Sequence, residues 1–305
     1  MMFNHKIIVS GLILSLSTWS MGSFAETLAV KTPKIEQILT TSKSITDVEK
    51  ILKQADIPMD KLIESPYQGL YQIIYQDQTA YVDTTGQYLL IGEIYKLDDI
   101  KKNNQGQLPP FEKITSLGTS LLNYAKLGTD LVILDKNQQF VMAGEVIRLT
   151  DRVAMSDELR LEVNKVDWTS LPLQQAMKQV KGNGQHKIAV FSDPYCPYCK
   201  QLEQTLATLD NVTIYTFLYP VKSNSMKVSE SIWCAKNATQ AWQDFMLKNR
   251  QPEVKKCPNP LQNNLQLGNQ VGAYGTPTMI FENGYVLMGA MSKQEIEQIL
   301  QQMKP

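Results

Sequence analysis

Two cysteines separated by two residues, Cys196-Pro197-Tyr198-Cys199, are the part of this sequence best suited to covalent chemistry. An apolar run, Lys187-Ile188-Ala189-Val190-Phe191, precedes them, and Ser192-Asp193-Pro194-Tyr195 makes a turn. Lys200 to Leu209 follows with Leu202, Leu206 and Leu209 on one side. The expected order is buried strand, turn, dithiol, helix. A cysteine at a helix start sees unpaired backbone N–H groups and the positive end of the helix dipole, which both favour thiolate over thiol. Thiolate is the attacking species in disulfide exchange. Cys196 is therefore the expected exposed nucleophile. Cys199 returns to the same face one turn later, placed to attack a mixed disulfide on Cys196 and release the substrate. Pro197 suits the first turn, where its missing N–H costs little.

Other chemistries fit less well. A four-cysteine zinc site uses two close-spaced pairs, whereas Cys234 and Cys257 lie 23 positions apart, so no metal is expected, and no cofactor. A Cys–His nucleophile would need His186, since His5 falls in the leader described below. About six extended residues, roughly 20 Å, separate His186 from the dithiol. Four cysteines allow three pairings, and spacing favours Cys196 with Cys199 and Cys234 with Cys257. Cys234, in the apolar helical run Ser231-Ile232-Trp233-Cys234-Ala235, and Cys257, before Pro258, read as a structural staple. Closing a loop of about 24 residues contributes roughly 3.4 kcal/mol in the chain-entropy view. A second signal is Tyr274-Gly275-Thr276-Pro277-Thr278 ahead of an apolar strand. A cis Thr276–Pro277 bond would let Thr276 offer its backbone N–H and C=O to an extended peptide beside Cys196. Tyr198, Thr276 and Pro277 are thus the expected substrate-binding residues.

The rest of the chain must position this site. Lys6 and the mostly apolar run Ile7 to Leu16, followed by Ser23-Phe24-Ala25, form an export signal expected to be cut after Ala25. Export accords with paired cysteines. With 305 residues, 43% of them hydrophobic, the chain holds about two domains. Basic and acidic residues balance at 30 each, which argues against nucleic-acid binding. Ser44 caps a predicted helix carrying Ile45, Val48, Ile51, Leu52 and Ala55. Strand-like runs at Leu70 to Tyr75, Ala80 to Val82 and Tyr88 to Tyr95 surround the turn Asp83-Thr84-Thr85-Gly86. The pattern recurs 52 positions on: Tyr81-Val82-Asp83, Gly92-Glu93-Ile94, Leu97 and Asp99 lie over Ile133-Leu134-Asp135, Gly144-Glu145-Val146, Leu149 and Asp151. One recurrence leaves two readings open, a true duplication or two hairpins that look alike at this length. Lys101 to Gln107 is a polar connection ended by Pro109-Pro110, and the mixed charges of 157–167 read as a solvated element or linker. A helix is predicted over Trp168 to Val180, capped by Thr169 or Ser170. A strand is predicted over Val212 to Tyr219, helices from Ser225 to about Leu267, a hairpin around Asn283-Gly284, and a last helix from Lys293 to Met303.

With these residues in hand, the chain resembles the periplasmic disulfide isomerases of the DsbC and DsbG family. Phe191 to Lys200 is similar to that family's active-site strand and helix start, Ser231 to Ala235 with Cys257 to its second cysteine pair, and Gly275-Thr276-Pro277 to its cis-proline loop. Ser44 to Asp98 resembles its N-terminal dimerisation domain, while Asn103 to roughly Asp167 has no full counterpart. The resemblance implies an α+β N-terminal region with small antiparallel sheets and a C-terminal thioredoxin-like α/β domain with a helical insertion. The expected divisions are a signal peptide at 1–25, a dimerisation-like domain at 26–100, a repeated β-unit and linker at 101–166, and the catalytic domain at 167–305. It further implies a periplasmic protein that reshuffles wrong disulfides in misfolded exported proteins, has chaperone activity, and is kept reduced by a DsbD-type membrane reductase. Pro197 stands where many isomerases have Gly, which leaves a dithiol oxidase or reductase as the alternative; a non-redox holdase is a third reading. For assembly, the family points to a homodimer through Ser44 to Asp98, and the alternative is a monomer whose two β-units pair with each other.

Overall fold

The computed structural model describes residues 41–103, 109–119, 121–128 and 130–303. The expected export signal, with its cut after Ala25, and residues 104–108 of the polar connection lie outside the described residues. The described chain falls into two compact units, 41–163 and 164–303. Among the described residues no helix is long and apolar enough to cross a membrane.

The first unit is an antiparallel sheet with helices. Helix α1 (Ile45–Gln54) starts where the Ser44 hydroxyl accepts from the Asp47 N–H, and it buries Val48 and Leu52. Strands β1 (Lys61–Glu64), β2 (Leu70–Tyr75), β3 (Gln78–Asp83) and β4 (Tyr88–Lys96) follow, then helix α2 (Leu97–Asn103). Strands β5 (Phe111–Ser116), β6 (Leu122–Leu127), β7 (Asp130–Asp135) and β8 (Phe140–Arg148) come next, then β9 (Val153–Ala154) and helix α3 (Ser156–Val163). The spatial order is β1-β2-β3-β4-β8-β7-β6-β5, with β9 beside β8.

That order is a palindrome of two equivalent halves, so the recurrence is a duplication of structure. Strands β2, β3 and β4 reappear as β6, β7 and β8 with the same lengths at the offset of 52. The registers also repeat: Leu70↔Asp83 matches Leu122↔Asp135, and Val82↔Leu89 matches Leu134↔Val141. Asp83 and Asp135 build the same turn. Asp83 Oδ1 accepts from the N–H groups of Gln87 and Tyr88 at 2.8 and 2.7 Å; Asp135 Oδ1 accepts from those of Gln139 and Phe140 at 2.6 and 2.9 Å. Burial pushes the Asp83 carboxyl up, against these bonds. One sheet face carries a shared core in which Leu70, Tyr88 and Leu90 meet their counterparts Leu122, Phe140 and Met142. The other face carries two separate clusters, Ile73, Ala80, Val82 and Leu89 under α1, and Ala125, Val132, Leu134 and Val141 with Leu97 and Ile100 of α2. The repeated unit is therefore larger than the hairpin 131–149, with β5 and α2 belonging to it. The mixed-charge stretch after 156 is an ordered helix rather than a linker, because Leu159 and Val163 of α3 lie buried in the shared core.

The second unit is a five-stranded sheet of order β10-β12-β11-β13-β14, made from β10 (Met177–Lys181), β11 (His186–Ser192), β12 (Val212–Leu218), β13 (Thr278–Phe281) and β14 (Val286–Met288). Helix α4 (Pro197–Ala207) links the parallel pair β11 and β12. Helices α5 (Ser225–Trp233), α6 (Ala238–Lys248) and α7 (Leu261–Gln270) are inserted between β12 and β13, and α8 (Lys293–Gln302) closes the chain. Ser292 and Glu295 give α8 a reciprocal capping box. The helix predicted over 168–180 does not form. Asp167, rather than Thr169 or Ser170, caps a single 3₁₀ turn at Trp168–Ser170, and a second turn follows at Leu173–Gln175. Residues from Met177 on become β10, an edge strand that pairs antiparallel with β12. Pro172 interrupts the helix after one turn, and the backbone pairing with β12 outweighs local propensity.

Candidate active site

The dithiol lies where β11 delivers the chain to α4. Ile188, Ala189, Val190 and Phe191 are buried between β12 and β13, so the end of this strand is held from both sides. The turn after it is tied by Asp193, a fully buried carboxylate. Its Oδ1 accepts from the Tyr195 N–H at 2.8 Å and the Ser225 hydroxyl at 2.7 Å, and its Oδ2 accepts from the Lys222 N–H at 3.0 Å. One side chain thus fastens the active-site turn to the start of the inserted helices. The backbone of Asp193 also serves the site: its C=O accepts from the Cys196 N–H at 3.1 Å, and its N–H donates to Cys199 Sγ at 3.4 Å.

Cys196 is the N-cap of α4, with Pro197 at its first position. The Lys200 N–H donates to the Cys196 C=O at 3.2 Å, closing the first turn. Cys196 is not the exposed residue the sequence led us to expect: it is 5% exposed, and Cys199 is 1% exposed. The insertion accounts for much of the cover. Both cysteines pack in a cluster with Val228, Ile232, Trp242, Phe245 and Met246. Tyr195 meets the Phe245 ring edge-on at 5.6 Å, and the Lys200 ammonium lies over that ring while donating to Asn249. Tyr198, at 62% exposure, stands on the surface.

The two sulfurs differ electrostatically. Burial raises the pKa of Cys196, but hydrogen bonds from the Thr276 side chain, from Cys199 and from the Tyr198 backbone outweigh it and hold the thiol below its ordinary value. Deeper burial pushes Cys199 up to about 12, despite hydrogen bonds from Ser192 and the Asp193 backbone. Both thiols are free. Thr276 comes from the loop before β13, and its peptide bond to Pro277 is cis. Its C=O accepts from Cys196 Sγ at 3.3 Å. The loop is pinned on both sides, Thr278 Oγ1 donating to the Gly275 C=O and the Gly289 N–H to the Pro277 C=O. Cys234 and Cys257 are bonded within the insertion, with Cα atoms 5.7 Å apart.

The structure therefore brings Cys196, Cys199 and Thr276 together, with Tyr198 and Pro277 adjoining them in sequence. It holds Cys234 and Cys257 apart from them as a separate bond. Sequence reasoning missed three contributors. Asp193 was read only as part of a turn, though an Asp two residues after a buried strand is a ready N–H acceptor. Ser192 was read in the same way. Glu203, one turn beyond Cys199, is 5% exposed and accepts from Trp242 Nε1 at 3.0 Å; burial raises its pKa against that bond and the nearby Lys181 charge. The spacing of Cys199 and Glu203 on one helix face was the available signal.

Comparison with known proteins places this geometry. Residues 39–105 match the disulfide bond isomerase protein N-terminal domain, and residues 173–304 match a thioredoxin-like domain. "Probable thiol:disulfide interchange protein DsbC" of Bordetella parapertussis is 40% identical over 173 residues, covering 56% of this chain and 62% of that protein. "Thiol:disulfide interchange protein DsbC" of Escherichia coli K12 is 29% identical over 120 residues, covering 38% of this chain and 50% of that protein. These curated relatives are thus matched over half to three-fifths of their length. Among solved structures, a disulfide interchange protein from Neisseria gonorrhoeae is 37% identical, with a TM-score of 0.42, covering 43% of this chain and 96% of that one.

Proposed function

This chain belongs to the DsbC family of thiol:disulfide interchange proteins, and from that premise we propose that it isomerises incorrect disulfides in exported proteins through Cys196 and Cys199. The observation that carries the reading is the unequal pair of thiols at the head of α4, one lowered and one pushed up to about 12. The Cys196 thiolate attacks one sulfur of a client disulfide. A Cys196–client bond forms, the client S–S bond breaks, and the other client sulfur leaves as a thiolate. That thiolate, or another in the client, attacks elsewhere; when one finally attacks the mixed disulfide, Cys196 leaves as a thiolate and no net oxidation has occurred. The competing route needs Cys199 to lose its proton and attack Cys196 Sγ, which releases a reduced client and leaves a Cys196–Cys199 disulfide. A thiol held near 12 is slow to do this at neutral pH, so the mixed disulfide persists and reshuffling is favoured. Each escape by Cys199 hands two electrons to the client, and an external dithiol reductant must restore them; a DsbD-type membrane reductase is the partner of that chemistry.

Tyr198 and the Thr276–Pro277 loop are the proposed client contacts. The Thr276 backbone accepts from Cys196 in the resting protein and would exchange that bond for one to an extended client segment, while exposed Tyr198 supplies apolar surface. The Cys234–Cys257 bond serves as a staple for the insertion that covers the thiols, and periplasmic residence accords with it. Chaperone activity follows from the same client contacts.

The deciding experiment is refolding of a scrambled multi-disulfide protein with and without added dithiol. Reduced protein should accelerate recovery of native disulfides, and Cys199→Ala should accumulate client-linked adducts on Cys196. Rapid oxidation of a fully reduced client with no recovery of a scrambled one would favour the oxidase alternative, a reading that Pro197 between the cysteines supports.

A further inference from the structure

The seam at the centre of the first unit says what its partner is. Strands β4 and β8 pair antiparallel over their whole length, from Tyr88↔Arg148 to Lys96↔Phe140. Gly92 faces Gly144 at the middle, so the pairing is symmetric about these two glycines. The flanking bonds exchange in the same way: the Leu97 N–H donates to the Gln139 C=O at 3.0 Å, and the Leu149 N–H donates to the Gln87 C=O at 2.8 Å. Leu149, which follows β8, completes the cluster under α1 of the first half, while its counterpart Leu97, which follows β4 and opens α2, sits in the cluster of the second half. Each half thus lends one strand edge to the other, and the leucine at the end of each seam strand packs in the other half's cluster. The contact has the reciprocity of an isologous dimer interface, with both sides in one polypeptide.

A Cβ at Gly92 would lie 2.3 Å from the Ala143 carbonyl oxygen and 2.8 Å from Gly144 Cα; one at Gly144 would meet Ile91 O at 2.2 Å and Gly92 Cα at 2.8 Å. The two backbones approach too closely for any other residue pair. The outer edges of the sheet lack this fit. β1 has only four residues, with Lys61 and Glu64 at its ends, and β5 carries a bulge between Glu112 and Thr115. Short, charged or bulged edges resist further pairing.

We infer that the second repeat of this chain is the built-in partner of the first, so that one polypeptide forms the complete paired sheet and a single Cys196–Cys199 dithiol serves it. An exposed nine-residue β4 edge would recruit another copy, but here it is already taken. The tether also decides the competition. A short linker gives an effective concentration of about millimolar, roughly a thousandfold above a protein at micromolar concentration. On this inference the chain takes the intrachain alternative instead of the homodimer to which the family resemblance points.

Two measurements on the full chain without its leader test this. Sedimentation velocity from nanomolar to tens of micromolar should give the mass of one chain throughout, and a two-chain mass would overturn the inference. For the second, Glu93→Cys and Ala143→Cys are introduced together into a Cys196→Ala/Cys199→Ala background. Glu93 and Ala143 are register partners, and both are exposed. Oxidation should yield a product that runs as one chain in a non-reducing gel and maps to a link between positions 93 and 143. A two-chain product carrying that link would show that the seam joins separate molecules. Sedimentation of the unsubstituted protein decides the matter whatever the doubly substituted variant does, and neither measurement depends on isomerase activity.

Discussion

The nine-stranded sheet and the dithiol unit spend their most constrained residues on different things. In the sheet these residues are glycines and turn aspartates, Gly92, Gly144, Asp83 and Asp135, and what they fix is backbone geometry. In the dithiol unit they are Cys196, Cys199 and Asp193, and what they fix is the charge state and position of a sulfur. The sheet could exchange most side chains for others of similar size and keep its shape. The dithiol unit could keep its shape and lose its chemistry with one atom. Substitutions should therefore separate into those that move stability and assembly and those that move reactivity.

The largest expected effect is on chemistry alone. Cys196→Ala should abolish disulfide exchange while changing the unfolding midpoint little, measured by scrambled-protein refolding beside urea denaturation. Residual exchange above background would mean that another sulfur attacks. The converse is Gly144→Val. Its side chain has nowhere to go across the seam, and the first unit should lose about 4 kcal/mol or more. The alkylation rate of Cys196 in the same protein should stay within about twofold of the parent, a bound set by the typical scatter of independent sites. A Cys196 that changed its reactivity with the seam would break the separation between the units.

Asp193→Ala should blur the comparison by design. It leaves the buried Ser225 hydroxyl and the part-buried Tyr195 and Lys222 N–H groups without their acceptor, at about 2–4 kcal/mol in total. It also loosens the turn whose N–H donates to Cys199. Loss of stability with unchanged thiol reactivity would show Asp193 to be structural only. The smallest effect is a matter of pH. Alkylation of Cys196 should rise as the thiol ionises and level off, with a midpoint below that of an ordinary thiol. Because this folded-state pKa is depressed, its contribution to the stability of the reduced protein is fully present above the unfolded value and is lost as pH falls through the folded one. A midpoint at or above the ordinary value would remove the argument from unequal thiols.

How much could be read beforehand follows the same division. The dithiol, the Thr276–Pro277 loop and the second cysteine pair announce themselves by residue type, because few positions tolerate Cys or the Gly-Thr-Pro run without a reason. The duplication showed only as a spacing, Asp83 with Asp135 and Gly92 with Gly144, since most core positions had changed identity: Tyr88 became Phe140 and Ile73 became Ala125. What escaped was settled by tertiary pairing. Residues after Ala176 look helical until β12 offers them hydrogen bonds. The stretch after Ser156 looks solvated until Leu159 and Val163 find the shared core. The low exposure of Cys196 comes from inserted helices some thirty to fifty positions downstream, which no local pattern at the dithiol could reveal.

The glycine pair at the seam has a genetic consequence. In an assembly of two identical chains, a residue on the symmetry axis faces its own copy, so every substitution there is made twice and must tolerate itself. Here Gly92 faces Gly144, encoded separately. The pair itself stays glycine on both sides, but along the rest of the seam, as at Glu93 opposite Ala143 and Ile91 opposite Glu145, a change on one side can be answered by a different change on the other, and each half is free to acquire features that its twin lacks. The molecule already displays that freedom in its outer strands: a regular four-residue β1 against a six-residue, bulged β5. Fusing the partners turns a constraint of symmetry into two independent lineages within one gene.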